Sequence, residues 1–192
     1  MKNEKTRHIL TLPRVLSLLA LVFLIALSAQ HPLSAQAVTQ GYNSDLKLQR
    51  GILVKLRADD STKIEPAGQD DMDNLHGVVV DPNDAPVTIS SEGNKTFVAT
   101  AGHFDVLVSN QNGPIQAGDY ITVSALDGIG MRAGDKQPIV IGKALAAFDG
   151  QTGIVSTTEI KDSAGKTSKY TIARIQVDVG VARNPLLKAT EP

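Results

Sequence analysis

The chain has 192 residues, enough for one domain with a sizeable core even after an N-terminal leader is removed. No cysteine is present, which excludes disulfides, cysteine zinc sites, thiol nucleophiles and the lipid anchor of a bacterial lipoprotein. Three Tyr, four Phe, no Trp and a net charge of −1 argue against a surface that binds nucleic acid.

The first 37 residues have the three parts of a secretory signal peptide. Basic residues open the chain, an apolar run follows at Val15–Leu27, and Ala35–Ala37 supplies the small-x-small pattern that signal peptidase requires. We predict an N-terminal hydrophobic helix that is removed on export, leaving a chain that begins at Val38. The alternative is an uncleaved membrane anchor at residues 9–29. In both cases the remainder lies outside the cytoplasm, secreted or at the cell surface.

Residues 38–50 are predicted to be a linker, and residues 51–188 to be an all-β domain. Segments rich in β-branched residues recur there, separated by Gly, Pro, Asn and Asp. The predicted strands are Ile52–Arg57, Leu75–Asp81, Val87–Ser90, Thr96–Thr100, Phe104–Ser109, Tyr120–Ser124, Ile139–Leu145, Gly153–Ile160 and Tyr170–Val181.

Two segments have the composition of hairpin turns. Glu92–Lys95 is predicted to join its two flanking strands, and Asp162–Lys166 to join the last two. The final strand alternates most clearly, because polar Arg174, Gln176 and Asp178 fall between apolar residues. Such alternation predicts one face in a core and one in water. Short strands at this spacing favour a small barrel or a sandwich.

Two stretches of the body share one pattern. In each, a glycine precedes a strand, a short segment ends in alanine, and a third segment carries an internal glycine. The first comprises Gly51–Leu56, Lys63–Ala67 and Leu75–Val80; the second comprises Gly118–Val123, Gly130–Ala133 and Ile139–Leu145. Either the domain has two pseudo-symmetric halves, or a glycine-hydrophobic pattern common in β proteins recurs by chance.

The segment Gly118–Leu145, with its GDYITV strand, Gly turn and IVIGKAL strand, resembles a short β module of phage tail-fibre and bacterial surface proteins. That resemblance implies a compact β structure with a scaffolding role in assemblies. From VTQGYNSD (Val38–Asp45) to RNPLLK (Arg183–Lys188), the body is similar to uncharacterised exported proteins of reduced-genome bacteria. Neither resemblance implies a catalytic residue.

Few residues are candidates for catalysis. His103, Asp105 and Ser109 would lie on the same face of a strand. Ser109 is nevertheless about 20 Å from His103 at roughly 3.3 Å per residue, beyond hydrogen-bond reach. His103 and Asp105 are better explained as a solvent-facing pair. His76 is the other histidine of the body. No catalytic residue, cofactor or nucleotide-binding motif is predicted.

Asp70, Asp71 and Asp73 are weak candidates for a metal site. They concentrate carboxylates in a predicted loop, and calcium favours such oxygen ligands. The loop lacks the glycine and the trailing glutamate of an EF-hand, so an acidic, solvated loop is the simpler explanation.

The sequence therefore favours an exported, non-enzymatic structural or protein-interaction module at the cell surface. Its expected partner is another envelope or surface protein, or a second copy of itself, with membrane contact only through an uncleaved leader. Val181–Leu187 is either an exposed recruiting segment or a lid that folds back on the domain. The alternatives are a cell-wall-directed hydrolase and a calcium-dependent or carbohydrate-binding adhesion domain.

Overall fold

A computed structural model describes residues 37–84, 87–89, 95–161 and 165–188. The described part is predominantly β, as the sequence predicts, and contains one short 3₁₀ helix at Gln69–Asn74. Its strands are β1 (Val38–Tyr42), β2 (Leu53–Leu56), β3 (Ile64–Pro66), β4 (Leu75–Val80), β5 (Val87–Ile89), β6 (Thr96–Ser109), β7 (Tyr120–Val123), β8 (Gly130–Arg132), β9 (Ile139–Ala144), β10 (Ile154–Lys161) and β11 (Thr167–Arg183). The apolar run of the predicted leader lies outside the described residues. Within them, no helix has the length and apolar character needed to cross a membrane.

All the described strands belong to one hydrogen-bonded sheet. The main path of pairing runs β10-β11-β9-β7-β8-β6-β4-β2-β3, and β1 pairs with both β5 and β6. β11 also pairs with β6, from Ile172 opposite Ser109 to Gly180 opposite Ala101. The pairings among β6, β11, β9, β7 and β8 therefore form a closed circuit.

The final strand has the predicted alternation. Ala173, Ile175, Val177 and Val179 are buried in the main core, and the residues between them are exposed. Burying this apolar row against β6 and β9 supplies the hydrophobic stabilisation that an isolated strand lacks. Ile172 is the exception to the alternation, because it is buried with Leu107 and Ile129 in a smaller cluster.

β6 is one strand where the sequence predicted two. Residues Thr96–Ser109 continue through Gly102, which the prediction placed in a break between strands. A Cβ at Gly102 would lie 3.0 Å from both the Ala37 Cβ and a Phe104 ring carbon, so the backbone passes close to its neighbours there. The glycine thus marks a close approach within the strand.

The predicted linker and the first predicted hairpin are wrong. Val38–Tyr42 is not a linker but β1, which pairs antiparallel with β6. β1 also pairs parallel with β5, so it lies between the two strands that the hairpin was expected to join directly. The sequence could not show this insertion, since β1 is far from both partners along the chain. The turn residues 90–94 lie outside the described part.

Two groups of three strands pair in the same way. In each, the first strand pairs antiparallel with the two that follow: β2 with β3 and β4, and β7 with β8 and β9. Val54 of β2 lies opposite Gly77, and Ile121 of β7 lies opposite Gly142. Those residues occupy equivalent positions in the two repeated sequence patterns.

The backbone hydrogen bonds of the two groups also correspond. The Ala67 N–H donates to the Leu53 carbonyl at 3.0 Å, and the Ala133 N–H donates to the Tyr120 carbonyl at 2.7 Å. Ala67 and Ala133 are both buried. The alanine that ends each short segment therefore makes the same bond to the same position of its central strand.

The internal glycines make equivalent close contacts. A Cβ at Gly77 would overlap the Ala99 carbonyl of β6, and a Cβ at Gly142 would overlap the Asp178 carbonyl of β11. Gly77 thus lets β4 approach β6, and Gly142 lets β9 approach β11. The packing requirement explains why glycine occupies both positions.

Candidate interaction surface

β10 and the start of β11 form a two-stranded ribbon, as the predicted hairpin at 162–166 requires. They pair antiparallel from Thr157 opposite Thr171 to Lys161 opposite Thr167. β11 joins β6 and β9 only from Ile172 onward. Among the described strands, β10 pairs with β11 alone, so its outer backbone edge has no strand beside it.

The ribbon has little core of its own. Six of the eight β10 residues are exposed, and only Thr158 and Ile160 are half-buried. These two lie opposite Tyr170 and Ser168, which are also half-buried, so one face carries the modest packing of the ribbon. A two-stranded hairpin is marginally stable at best on its own. The rest of the sheet must anchor it through β11.

Exposed apolar side chains gather at the base of the ribbon. Leu145 is 43% exposed, Ile154 42% and Val155 57%. Ile154 lies opposite Ala173, and the Leu145 N–H donates to the Gln176 carbonyl, so both residues lie beside one short stretch of β11. An exposed strand edge next to apolar side chains is a typical template for pairing with another chain.

A groove lies beside β2 and β3, which are at the other end of the sheet's pairing order from the ribbon. It is an open groove of about 580 Å³. Lys55 lines it, with its Nζ 3.2 Å from the Glu65 carboxylate and bonded also to Asp71. The hydrogen bond that Lys55 donates to the Asp71 carboxylate raises the pKa of Lys55, with a smaller contribution from Glu65. Asp70 and Asp127 also line the groove.

The predicted acidic loop is the 3₁₀ helix. Asp70, Asp71 and Asp73 are all exposed on it, and Lys55 binds the Asp71 carboxylate. The described residues contain no group of three or more His, Asp or Glu side chains arranged to hold a metal ion. Lys55, Glu65 and Asp127 were missed by the sequence analysis, because they lie on separate elements and carry no motif.

The structure separates the residues weighed for catalysis. His103 Nε2 lies 3.5 Å from Asp178 across the β6–β11 pairing, whereas Asp105 lies 3.4 Å from Arg50. The expected pairing of His103 with Asp105 is therefore wrong, since each finds its partner on another segment. The Ser109 hydroxyl is buried and donates to the Gly130 carbonyl at 3.3 Å.

His76 lies in a different environment. Its Nε2 is 2.6 Å from the Tyr42 hydroxyl, and the two rings meet edge to face at 83°. Burial lowers the pKa of His76 and raises that of Tyr42. The Tyr42 hydroxyl is also 3.1 Å from the Gln40 amide oxygen. This contact joins the end of β1 to β4.

Of the two alternatives for Val181–Leu187, the structure does not show the lid. Leu186 is 47% exposed and Leu187 45%. Asn184, just before them in the chain, is buried, and its amide donates to the carbonyls of Gly134 and Gln137, each at 2.7 Å. A buried asparagine therefore secures the segment, while the two leucines face solvent.

Comparison with known proteins gives no family for this chain. No protein-family model matches it, and no curated protein matches it either.

Proposed function

We propose that this chain is an exported, non-enzymatic β-domain that serves as a structural or protein-interaction module at the cell surface. The observation that carries the proposal is the β10–β11 ribbon, whose outer edge lacks a neighbouring strand among the described residues. Backbone N–H and C=O groups on such an edge can pair with an extended segment of another chain. The partner would be another envelope or surface protein, or a second copy.

The proposed scaffold is a small barrel built from two pseudo-symmetric halves. The closed circuit of strand pairings supports the barrel, and the matching registers of the two strand groups support the halves. Ala99 lies against Gly77 as Asp178 lies against Gly142, so Ala99 and Asp178 are equivalent residues of the two halves. Two residues further along each strand, Ala101 and Gly180 are therefore equivalent as well. Ala101 and Gly180 pair with each other, which is where a local two-fold axis would pass.

The ribbon is the main departure from this repetition. The chain from Gly142 to Asp178 is 14 residues longer than the equivalent stretch from Gly77 to Ala99. Most of these additional residues belong to the part of the ribbon that extends beyond the pairing of β11 with β6. An element that the repeated scaffold does not require is well suited to making contacts outside the domain. The leader and the resemblance to a surface-protein module support the proposed location.

Replacing residues 159–169 with Asn-Gly tests the proposal. Thr158 and Tyr170 already pair, and their backbone groups face each other because the N–H and C=O of Thr171 turn toward Asn110. Asn-Gly suits a two-residue hairpin turn between such a pair. We expect a melting temperature within about 4 °C of the parent, because the removed residues contribute little core. The exported, C-terminally tagged chain should recover a specific envelope protein or its own untagged copy, and the ribbonless variant should recover neither.

Asp70→Asn is the matched control, because it changes the groove and leaves the ribbon intact. It should retain the partner recovered by the parent chain. If the ribbonless variant folds and retains every partner while Asp70→Asn loses one, the groove and not the ribbon is the interaction surface. The proposal would then be wrong.

A further inference from the structure

We propose that signal peptidase can remove the leader only before β1 enters the sheet, so that a chain which folds first keeps its leader and stays anchored. The inference rests on the export that the proposed function includes, and it adds the order of the steps. The predicted cleavage site lies between Ala37 and Val38. In the folded domain Val38 already belongs to the sheet, and Ala37 packs against the main core.

The Ala37 side chain has two incompatible uses. Signal peptidase must receive it in a small pocket of the enzyme. In the folded domain the same side chain is half-buried and packs against the main core. It also lies at the close approach of Gly102, where an added Cβ would be 3.0 Å from the Ala37 Cβ. One methyl group cannot occupy the enzyme's pocket and this position at the same time.

The backbone that follows the cleavage site is paired on both edges. Val38 pairs with Val87 of β5 on one side and with Ala101 of β6 on the other. A protease must bind an extended segment around the bond that it cuts, so a bond held inside a sheet is cut only when the strand opens. Cleavage of the folded chain therefore requires that β1 leave both of its neighbours.

The far end of β1 controls how readily the strand opens. Tyr42 is buried, and its hydroxyl lies 2.6 Å from His76 Nε2 on β4. When a strand opens and closes faster than it is cut, the cleavage rate follows the population of the open form. Tyr42 therefore influences cleavage at the other end of the strand, although it lies outside the Ala35–Ala37 pattern that the peptidase recognises.

Purified signal peptidase acting on the full chain in detergent micelles tests this order of steps. The chain is offered to the enzyme either after folding is complete or at the moment of its dilution out of urea. We expect the freshly diluted chain to yield an N-terminus at Val38, and the folded chain to be cut about tenfold more slowly. Mass spectrometry of the products follows both reactions.

Tyr42→Ala and Leu46→Ala are matched variants for this assay. Leu46 lies just beyond β1 and is 58% exposed, so its replacement should leave the cleavage rate of the folded chain unchanged. The folded Tyr42→Ala chain should be cut about tenfold faster than the folded parent, because β1 is held less firmly. If Tyr42→Ala shows no cooperative melting transition, the comparison of the folded and freshly diluted parent decides alone.

Equal cleavage rates for the folded and the freshly diluted parent would overturn the proposal. A folded Tyr42→Ala chain that is cut no faster than Leu46→Ala would also overturn it, and so would a freshly diluted chain that resists the enzyme, because the bond would then be no cleavage site. None of these results alters the recovery of a partner through the ribbon. The interaction module and the order of processing are therefore refuted by different measurements.

Discussion

At the scale of single residues, the two internal glycines of β4 and β9 are the most restrictive positions. Gly142→Ala should lower the free energy of unfolding by about 2–4 kcal/mol, because the new methyl group would overlap the Asp178 carbonyl and because alanine rarely adopts the positive φ of this position. Gly77→Ala should have a comparable effect through Ala99. Urea unfolding of each variant measures the loss.

Gly180→Ala is the control for these substitutions. Gly180 lies on β11 close to the same strands, but a Cβ there would have no neighbour within 4 Å. Its stability should stay within about 0.5 kcal/mol of the parent. Gly77 has no positive φ and therefore separates the two causes at position 142. If Gly77→Ala is as harmless as Gly180→Ala while Gly142→Ala is not, the cost at position 142 comes from its backbone conformation and not from the close contact.

His76 should make stability depend on pH. Burial holds its pKa below the ordinary value of 6.5, so the unfolded chain binds the proton more readily than the folded chain. Stability is therefore complete above the unfolded pKa and falls as the pH drops through 6.5 toward the lower folded pKa. Urea midpoints measured between pH 7.5 and 5 follow this loss, and His76→Gln should flatten it. A parent whose urea midpoint is flat over this range, or a slope that persists in His76→Gln, would contradict the assignment to His76.

At the scale of elements, the end of β11 depends on a polar contact. Asn184→Ala should cost about 1–3 kcal/mol, because it removes the donor to the Gly134 and Gln137 carbonyls and the acceptor of the Leu186 N–H. Thermal unfolding measures the loss. Lys188→Ala, which removes an exposed ion pair with Asp135, should change the melting temperature little. A neutral Asn184→Ala would mean that water replaces these bonds.

Individual elements differ in how much of them the sequence predicts. The alternating apolar row of β11 is visible as a local pattern, since burial of one strand face leaves its mark within a few residues. β1 has no such mark: its VTQGY sequence becomes a strand because β6 and β5 flank it. The groove around Lys55 is equally invisible in the sequence, because its charged residues come from separate segments.

At the scale of the whole molecule, the signal peptide predicted from the sequence implies a specific N-terminus for the exported protein. Intact-mass measurement of the protein recovered from its producing cells should give an N-terminus at Val38, because Ala35 and Ala37 fit the small pockets of signal peptidase. Ala37→Leu should block processing and leave the longer chain in the membrane fraction. Recovery of full-length chain in the cytosol would contradict export.

The sequence alone determined the β class, most strand positions, the β10–β11 hairpin and the repeated glycine pattern, because each arises from neighbouring residues. Only the tertiary structure decided which strands pair, that β1 enters the sheet, and that His103 meets Asp178 and not Asp105. The physical reason is that strand pairing joins backbones whose hydrogen-bonding groups are alike at every position. The choice of partner therefore depends on the packing of the whole chain.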